Sequence, residues 1–363
     1  MRVAFLYNRS AEDPAGAAED EFPARSPVVA ALQRLGHQVL PIACTLDFAR
    51  VKRRLERVRA DVVFNRVESL GGSDSMMAAI TLLLDAMQLP YTGNSTAALV
   101  AAASKIAVKK RLVAAGMPTP AWITADFQSP NGLNSCYVRP YSFHARYILK
   151  SDLEHASFGI DDTSIVGPVD ANELQRLIRN RNRSTGRTYF AEEFIAGREF
   201  NISIIGSPPR VLPPAEIDFS AFPSDKPRIV SHGAKWNEAS FEYHNTPRRF
   251  DFPDSDRQLL SRLAELTLEC WRLFELCGYA RVDFRCDADK RPFILEINTN
   301  PCIAPDAGFA AALKQAGASY EEGLQCILND GIERRFVTKL DDATSTARAA
   351  LERPPITATY GFH

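Results

Sequence analysis

Apolar and polar positions follow two rhythms over the first ninety residues. Short apolar runs predict strands at Val3–Tyr7, Val39–Ala43 and Asp61–Asn65. Between them lie helical patterns. Ser26-Pro27 reads as an N-cap and first turn, Gly36 as a stop, and Asp47–Arg59 as a basic amphipathic helix. A further helix is expected from about Ser73 to Met87, after Gly71-Gly72. Strands separated by helices of this length imply a parallel sheet with right-handed crossovers.

The rhythm then changes. An Ala-rich stretch (Ala97–Ala103) precedes a helix from Lys105 to Ala115 closed by Gly116. Pro118, Pro120 and the segment Asp126–Arg139 read as a domain joint. Tyr147–Lys150 is a predicted strand, Ser151–Gly159 a loop, and Asp170 with Glu173 a capping box for a helix to about Arg181. Tyr189–Phe194 and Glu199–Ile205 are expected strands around a turn at Gly197. Beyond them, strands are expected near 211–217 and 228–232, then a long helix from Asp254 to Cys277 stopped by Gly278. Strands at Tyr279–Cys286 and Pro292–Asn298 and a last helix at Tyr320–Asn329 complete the pattern. The expected division is an N-terminal α/β substrate domain over 1–103, a small central α+β lid over 104–205, a C-terminal catalytic α+β domain over 206–333, and a polar, weakly ordered tail over 334–363.

Composition narrows the function classes. In 363 residues, 43 Lys and Arg nearly balance 44 Asp and Glu, which argues against a protein held to nucleic acid by bulk charge. No apolar run approaches the ~18 residues of a membrane span. The start Met-Arg-Val-Ala-Phe-Leu-Tyr turns polar at Asn8, as a first strand does and a signal peptide does not. Seven scattered cysteines without zinc spacing suit reduced, mostly buried thiols of a cytoplasmic protein. Cys302 has no histidine near it in sequence to activate it as a nucleophile.

Three patterns carry chemistry. In the C-terminal hairpin, period-two alternation puts Arg281, Asp283 and Arg285 on one face of the first strand, and Glu296 and Asn298 on one face of the second. A five-residue turn brings residue 283 opposite 295–296. Two carboxylates and an amide gathered over an apolar floor suit Mg²⁺ or Mn²⁺. An ordinary solvent-facing hairpin, with Arg281 or Arg285 pairing the acids, fits the same spacing. Second, Lys105, Lys150 and Lys235 stand at a helix start, a strand end and within His-Gly-Ala-Lys-Trp. Each suits either a phosphate or bulk water. Neither a P-loop nor a GxGxxG turn after a strand is present. Third, Glu192 and Glu199 lie seven apart across a Gly turn, spaced to bind an amino group or ribose hydroxyls, or to sit exposed on a hairpin.

Together, Leu89-Pro-Tyr-Thr-Gly93, Ser104-Lys105, Lys150–Ile160, Glu192–Phe200 and Arg281–Pro301 resemble the ATP-grasp superfamily, and within it the D-alanine–D-alanine ligase family, over about residues 1–330. The resemblance implies an α/β ATP-grasp fold. It implies that Lys105 and Lys150 hold ATP phosphates and that Glu192 and the backbone at Ile195 meet the adenine. Glu199 would take the ribose, and Lys235 a further phosphate. Arg281 would act at the transferred phosphoryl group. Ser157 and Glu154 fall in the lysine-led flexible loop, Ser157 on its second serine. Asp283, Glu296 and Asn298 match the ligands of two Mg²⁺ ions, with Glu296 bridging. A homodimer is expected by resemblance alone.

The departures concern the amino-acid half. The family's Gly-rich segment with His reads Asn65-Arg-Val-Glu68-Ser-Leu-Gly-Gly-Ser-Asp74 here. The Gly-Ser-Ser loop core is His155-Ala156-Ser157, and the Lys-Tyr pair is Lys235-Trp236. The Gly after the Asn-Thr-x-Pro motif is Cys302, and the Ser that grips the second substrate's carboxylate is Ala307. An acid among Glu19, Asp20 and Glu21 could receive the first substrate's amino group. The expectation is an ATP- and Mg²⁺-dependent carboxylate–amine ligase joining two small amino-acid-like substrates. A D-alanine–D-alanine ligase with a substituted pocket, a small-molecule kinase on the same fold, and a non-catalytic nucleotide-binding protein are the alternatives.

Overall fold

The structure, a computed structural model, describes residues 1–8, 26–126, 145–154, 157–167 and 169–334. Glu19, Asp20, Glu21, Cys136, His155, Ala156 and the tail from residue 335 lie outside them. Three sheets organise the chain. The first is parallel, in the order β2-β1-β3, from β1 (Arg2–Asn8), β2 (Gln38–Cys44) and β3 (Val62–Arg66). The helices Pro27–Arg34 and Phe48–Val58 supply the crossovers. Asp47 caps the second through Arg50 N at 2.9 Å. The expected helix after Gly72 forms as a 3₁₀ turn at Asp74–Met77 leading into Ala78–Ala86.

The second sheet is antiparallel, in the order β4-β7-β5-β6: β4 (Trp122–Thr124), β5 (Tyr147–Ser151), β6 (Ile165–Val166) and β7 (Tyr189–Glu193). Helix Ala171–Thr185 covers it, burying Leu174 and Ile178. Asp170 caps this helix at Glu173 N, and Gly186 ends it at φ +68°.

The third sheet has six strands. Its strands are β8 (Arg198–Ile205), β9 (Arg210–Val211), β10 (Ala215–Ile217), β11 (Arg248–Arg249), β12 (Tyr279–Cys286) and β13 (Pro292–Asn298), in the order β11-β10-β8-β12-β13 with β9 beside β8. One face packs on the long helix Arg257–Leu273. There Phe200, Ile202, Val282, Phe284 and Ile294 meet Leu259, Leu263, Leu266 and Trp271. Helices Thr96–Ala102 and Lys105–Ala114 join the same core through Ala98, Val108 and Leu112. β8 is thus hydrogen-bonded between β10 and β12 in the large sheet, although the sequence groups it with the central block.

Other differences have local causes. The strand expected near 211–217 is interrupted by Pro213-Pro214, which leaves β9 and β10 as separate short pieces. The strand expected at 228–232 does not form. Ile229 is buried there without pairing, and Ser231 caps a short helix at His232–Trp236 by accepting from Ala234 N. The last helix runs over 320–334, so Arg334 belongs to it. Among the described cysteines, Cys44, Cys270 and Cys286 are buried while Cys302 is exposed.

Candidate active site

The polar face of the third sheet is set by register. Arg281 pairs with Asn298 across β12 and β13, and Asp283 with Glu296; a bulge follows directly, between Asp283 and Phe284. On the other side Asp283 lies opposite Asn201, and Arg285 opposite Glu199. Alternation therefore lifts Arg281, Asp283, Arg285, Glu199, Asn201, Glu296 and Asn298 from one surface, while their neighbours fill the core.

The charges on this face are closely paired. Arg281 grips Asp283 with two bonds, Nε to Oδ1 at 2.7 Å and Nη2 to Oδ2 at 2.8 Å. Asn201 Nδ2 adds a donor to Oδ1 at 2.8 Å, and Asn298 Nδ2 one to Oδ2 at 3.0 Å. Arg285 pairs with Glu199 at 2.9 Å and donates to the carbonyl of Ile195 at 3.3 Å. The pairing of acids by arginine that the sequence left open is therefore realised. Three of the groups read as metal ligands also converge, Asp283 and Asn298 in contact and Glu296 across from Asp283.

The lysines arrive from other elements. Ser104 caps helix Lys105–Ala114 by accepting from Ala107 N at 3.1 Å, and Asp152 accepts from Ser104 Oγ and Ile106 N, both at 2.9 Å. That junction fixes Lys105, whose Nζ donates to the Glu154 carbonyl and lies 3.4 Å from Glu296 Oε1. One turn on, Lys109 is fully buried and pairs with Glu192 at 2.5 Å. Lys150, at the end of β5, meets the other oxygen of the same carboxylate. Burial alone would raise the Glu192 pKa, but the two ammonium groups hold it below the usual carboxylate range. Lys235 sits half-buried on its short helix. Desolvation first, then Arg281, pulls its pKa down against the pull of Glu296, Asp283 and Glu199.

Three expected residues are turned elsewhere. Lys150, expected at the phosphates, spends its ammonium on Glu192. Glu154 directs its carboxylate to Arg187 Nε at 3.1 Å and presents only its carbonyl to Lys105. Ser157, at φ +60°, donates to the Val230 carbonyl at 2.8 Å. Sequence reasoning missed Lys109 and Asn201. Both had a signal: Lys109 is one helical turn from Lys105, and Asn201 shares strand parity with Glu199. It also missed that Arg66, behind the site, reaches Pro301 O at 3.3 Å and pairs with Glu68 at 2.6 Å. Among the described residues no group of three or more His, Cys, Asp or Glu could hold a metal ion; the set on this face is two carboxylates and an amide.

Comparison with known proteins agrees with this geometry. The family model described as D-ala D-ala ligase C-terminus matches residues 114–329. The chain is 30% identical to the D-alanine–D-alanine ligase of Carboxydothermus hydrogenoformans over 84% of its own length and 91% of the relative's. It is 28% identical to that of Moorella thermoacetica, over 92% and 100%. The crystal structure of the D-alanine–D-alanine ligase of Bacillus anthracis complexed with ATP superposes with a TM-score of 0.68 at 18% identity, covering 93% of this chain and 99% of that one. The enzyme of Coxiella burnetii gives 0.65 at 17% identity, covering 96% and 99%. With the family model matching residues 114–329 and a relative 30% identical over 84% of this chain, the chain belongs to the D-alanine–D-alanine ligase family and is an ATP-dependent, ATP-grasp carboxylate–amine ligase that forms a C–N bond.

Proposed function

We propose that the protein joins two small amino-acid-like molecules through an acyl phosphate, releasing ADP and phosphate, and that its second substrate is not D-alanine. A carboxylate is a poor acyl donor because oxide is a poor leaving group. Attack of one carboxylate oxygen on the γ-phosphorus of ATP, with ADP leaving, makes an acyl phosphate. An amine then attacks the carbonyl carbon, phosphate departs with the C–O bonding pair, and the nitrogen loses a proton.

Residues of this chain suit each demand. Glu192, Ile195 and Glu199 border the space where a nucleoside would lie, with Lys150 and buried Lys109 locking Glu192 in place. Lys105 and Lys235 supply positive charge to the phosphates, and Arg281 to the transferred phosphoryl group. Asp283, Glu296 and Asn298 offer the all-oxygen donors that suit Mg²⁺ or Mn²⁺, and would hold such ions once Arg281 releases Asp283 and the Asn298 amide turns its oxygen inward. A divalent ion there would neutralise charge on the phosphate oxygens. Ser157, which donates to the Val230 carbonyl, belongs to the segment that would keep water from the acyl phosphate.

The observation that carries the reading is the contrast between halves. The nucleotide face keeps its charged set, while Trp236, Cys302 and Ala307 replace the family's amino-acid contacts. A screen of amino acids as donor and acceptor, reading ADP release and product mass, tests it. The expected result is an amide with ADP and phosphate from a pair other than two D-alanines. Turnover of D-alanine alone would instead establish the activity for which the relatives are named. A stable phosphate ester would mean a kinase, and no turnover with any pair would overturn the ligase reading.

A further inference from the structure

We propose that Arg248 holds the carboxylate of the second substrate, so that an arginine supplies the grip that Ala307 cannot. The inference rests on the ligase reading above and names the chemistry of its acceptor: a small amine that carries a carboxylate.

Strand alternation aims the residue. Arg249 turns to the core face and pairs with Glu216 at 2.9 Å. Arg248 lies opposite Ile217, which lies opposite Glu199, so Arg248 shares the face of Glu199, Asp283 and Arg281. Its side chain then runs flat across Gly308. A Cβ at 308 would stand 2.9 Å from the guanidinium Nε and 3.6 Å from Cζ, so the side chain lies close against Gly308. The fork therefore rests at the start of helix Gly308–Gln315, one residue from Ala307, with Nη1 donating to the Asp306 carbonyl at 3.3 Å.

Its neighbours distinguish it from four other arginines of this sheet. Arg198, Arg249, Arg281 and Arg285 each close on a carboxylate within 2.9 Å. Among the described residues no carboxylate comes within 4.0 Å of the Arg248 guanidinium. The charged and titratable groups that face it are Arg281, Asp306, Cys302 and Tyr243. Desolvation, then the positive charge of Arg281, draws its pKa down. Among the described residues the exposed Arg248 guanidinium has only the Asp306 carbonyl as a hydrogen-bond acceptor, and with Arg281 near it the place suits an anion. Its planar fork matches a carboxylate with two parallel bonds. A carboxylate held there would leave the rest of a small amino acid on the side of Arg281, where the amine must attack.

The test separates this claim from the ligase reading by using two arms. In the first, the full-length protein with ADP, Mg²⁺ and aluminium fluoride is titrated with a panel of small amino acids (D and L) and with their carboxamides, and thermal stabilisation is read. Wild type is expected to be stabilised by the amino acid and not by the amide. Arg248→Ala should lose that discrimination, Arg248→Lys should keep part of it, and Ala307→Ser placed in the Arg248→Ala protein should restore part. In the second, the amino-acid pair found by ADP release is used with saturating donor. Arg248→Ala is expected to raise the acceptor KM by about 30-fold with kcat within about threefold, a loss of about 2 kcal/mol at ~1.4 kcal/mol per tenfold. Arg248→Ala protein that discriminates acid from amide as wild type does, or wild type that never discriminates, overturns the proposal. Absence of ADP release with every pair overturns the ligase reading and leaves the first arm to decide Arg248.

Discussion

Glu192 is held by a lysine on each of its carboxylate oxygens. It is 1% exposed and lies between an ammonium with no solvent exposure and one at the strand end. Lys109 also donates to Thr119 Oγ1 at 2.8 Å, which in turn donates to Ile294 O at 2.8 Å, so the ion pair is stitched to β13. Removing one member leaves its partners' charge unbalanced in a low-dielectric interior. Lys109→Met is expected to cost about 3–5 kcal/mol in urea unfolding of the ligand-free protein. Adding Glu192→Leu should recover much of that loss, because the charge left behind is then gone; failure to recover would mean that Lys109 acts through packing alone. Glu296 poses the opposite case, a carboxylate on the polar face with Lys105 3.4 Å away. Glu296→Gln is expected to lower kcat by 100-fold or more, roughly the effect of deleting one transition-state contact, and to weaken ATP binding by less than about tenfold. Equal losses in turnover and binding would assign Glu296 to ground-state affinity.

At the scale of elements, the turn between β7 and β8 decides whether the polar face of the third sheet can form. Gly197 has φ +147°, and a Cβ there would lie 2.0 Å from the Cys286 carbonyl, which belongs to backbone and cannot swing away. Gly197→Ala is expected to destabilise the protein by more than about 3 kcal/mol, or to prevent folding. Because the same turn carries the Ile195 and Gly197 carbonyls that Arg285 grips, any folded fraction should bind ATP more weakly; wild-type affinity in a folded variant would remove the turn from the site. This turn was legible in the sequence because Gly197 stands between two β-rich runs. The 283–296 pairing was legible because alternation in two long strands leaves one register that buries the apolar set. The two- and three-residue strands β4, β6, β9, β10 and β11 were not. So short a segment has no period, and its pairing is set by neighbours distant in sequence. Arg248 was illegible for the same reason: its meaning comes from Gly308, sixty positions away. Ile229 misled because an apolar residue can be buried by a loop as well as by a strand.

At the scale of the whole molecule, the motif Leu89-Pro-Tyr-Thr-Gly93 proves to be a joint. Thr92 N donates to Val63 O at 2.9 Å, extending the parallel sheet, while Gly93 meets Gly278 so closely that a Cβ at 278 would stand 2.9 Å from the Gly93 Cα. Buried Asn94 then donates to Tyr279 O at 2.8 Å and Thr299 O at 2.7 Å, at the start of β12 and just after β13. Arg334 locks the joint from the last helix, donating to Tyr91 O at 2.9 Å and Gly93 O at 2.7 Å and pairing with buried Asp330 at 3.0 Å. Arg334→Ala should therefore destabilise the fold by about 2–4 kcal/mol, since it strips bonds from two carbonyls and the counter-charge from a buried carboxylate. The pH dependence has a definite sign. Burial holds the Asp330 pKa above its ordinary value even with Arg334 beside it. An acid whose folded pKa is raised makes its ionised form costly, so its penalty is present at neutral pH and fades as pH falls through that folded pKa. Without Arg334 the pKa must rise further, which widens the window. Chemical denaturation of Arg334→Ala across neutral to mildly acidic pH is thus expected to show its deficit against wild type shrinking on acidification. Replacing Asp330 by Asn in the same protein should remove that trend; a deficit independent of pH would mean that the lost backbone bonds, and not the stranded carboxylate, account for the destabilisation.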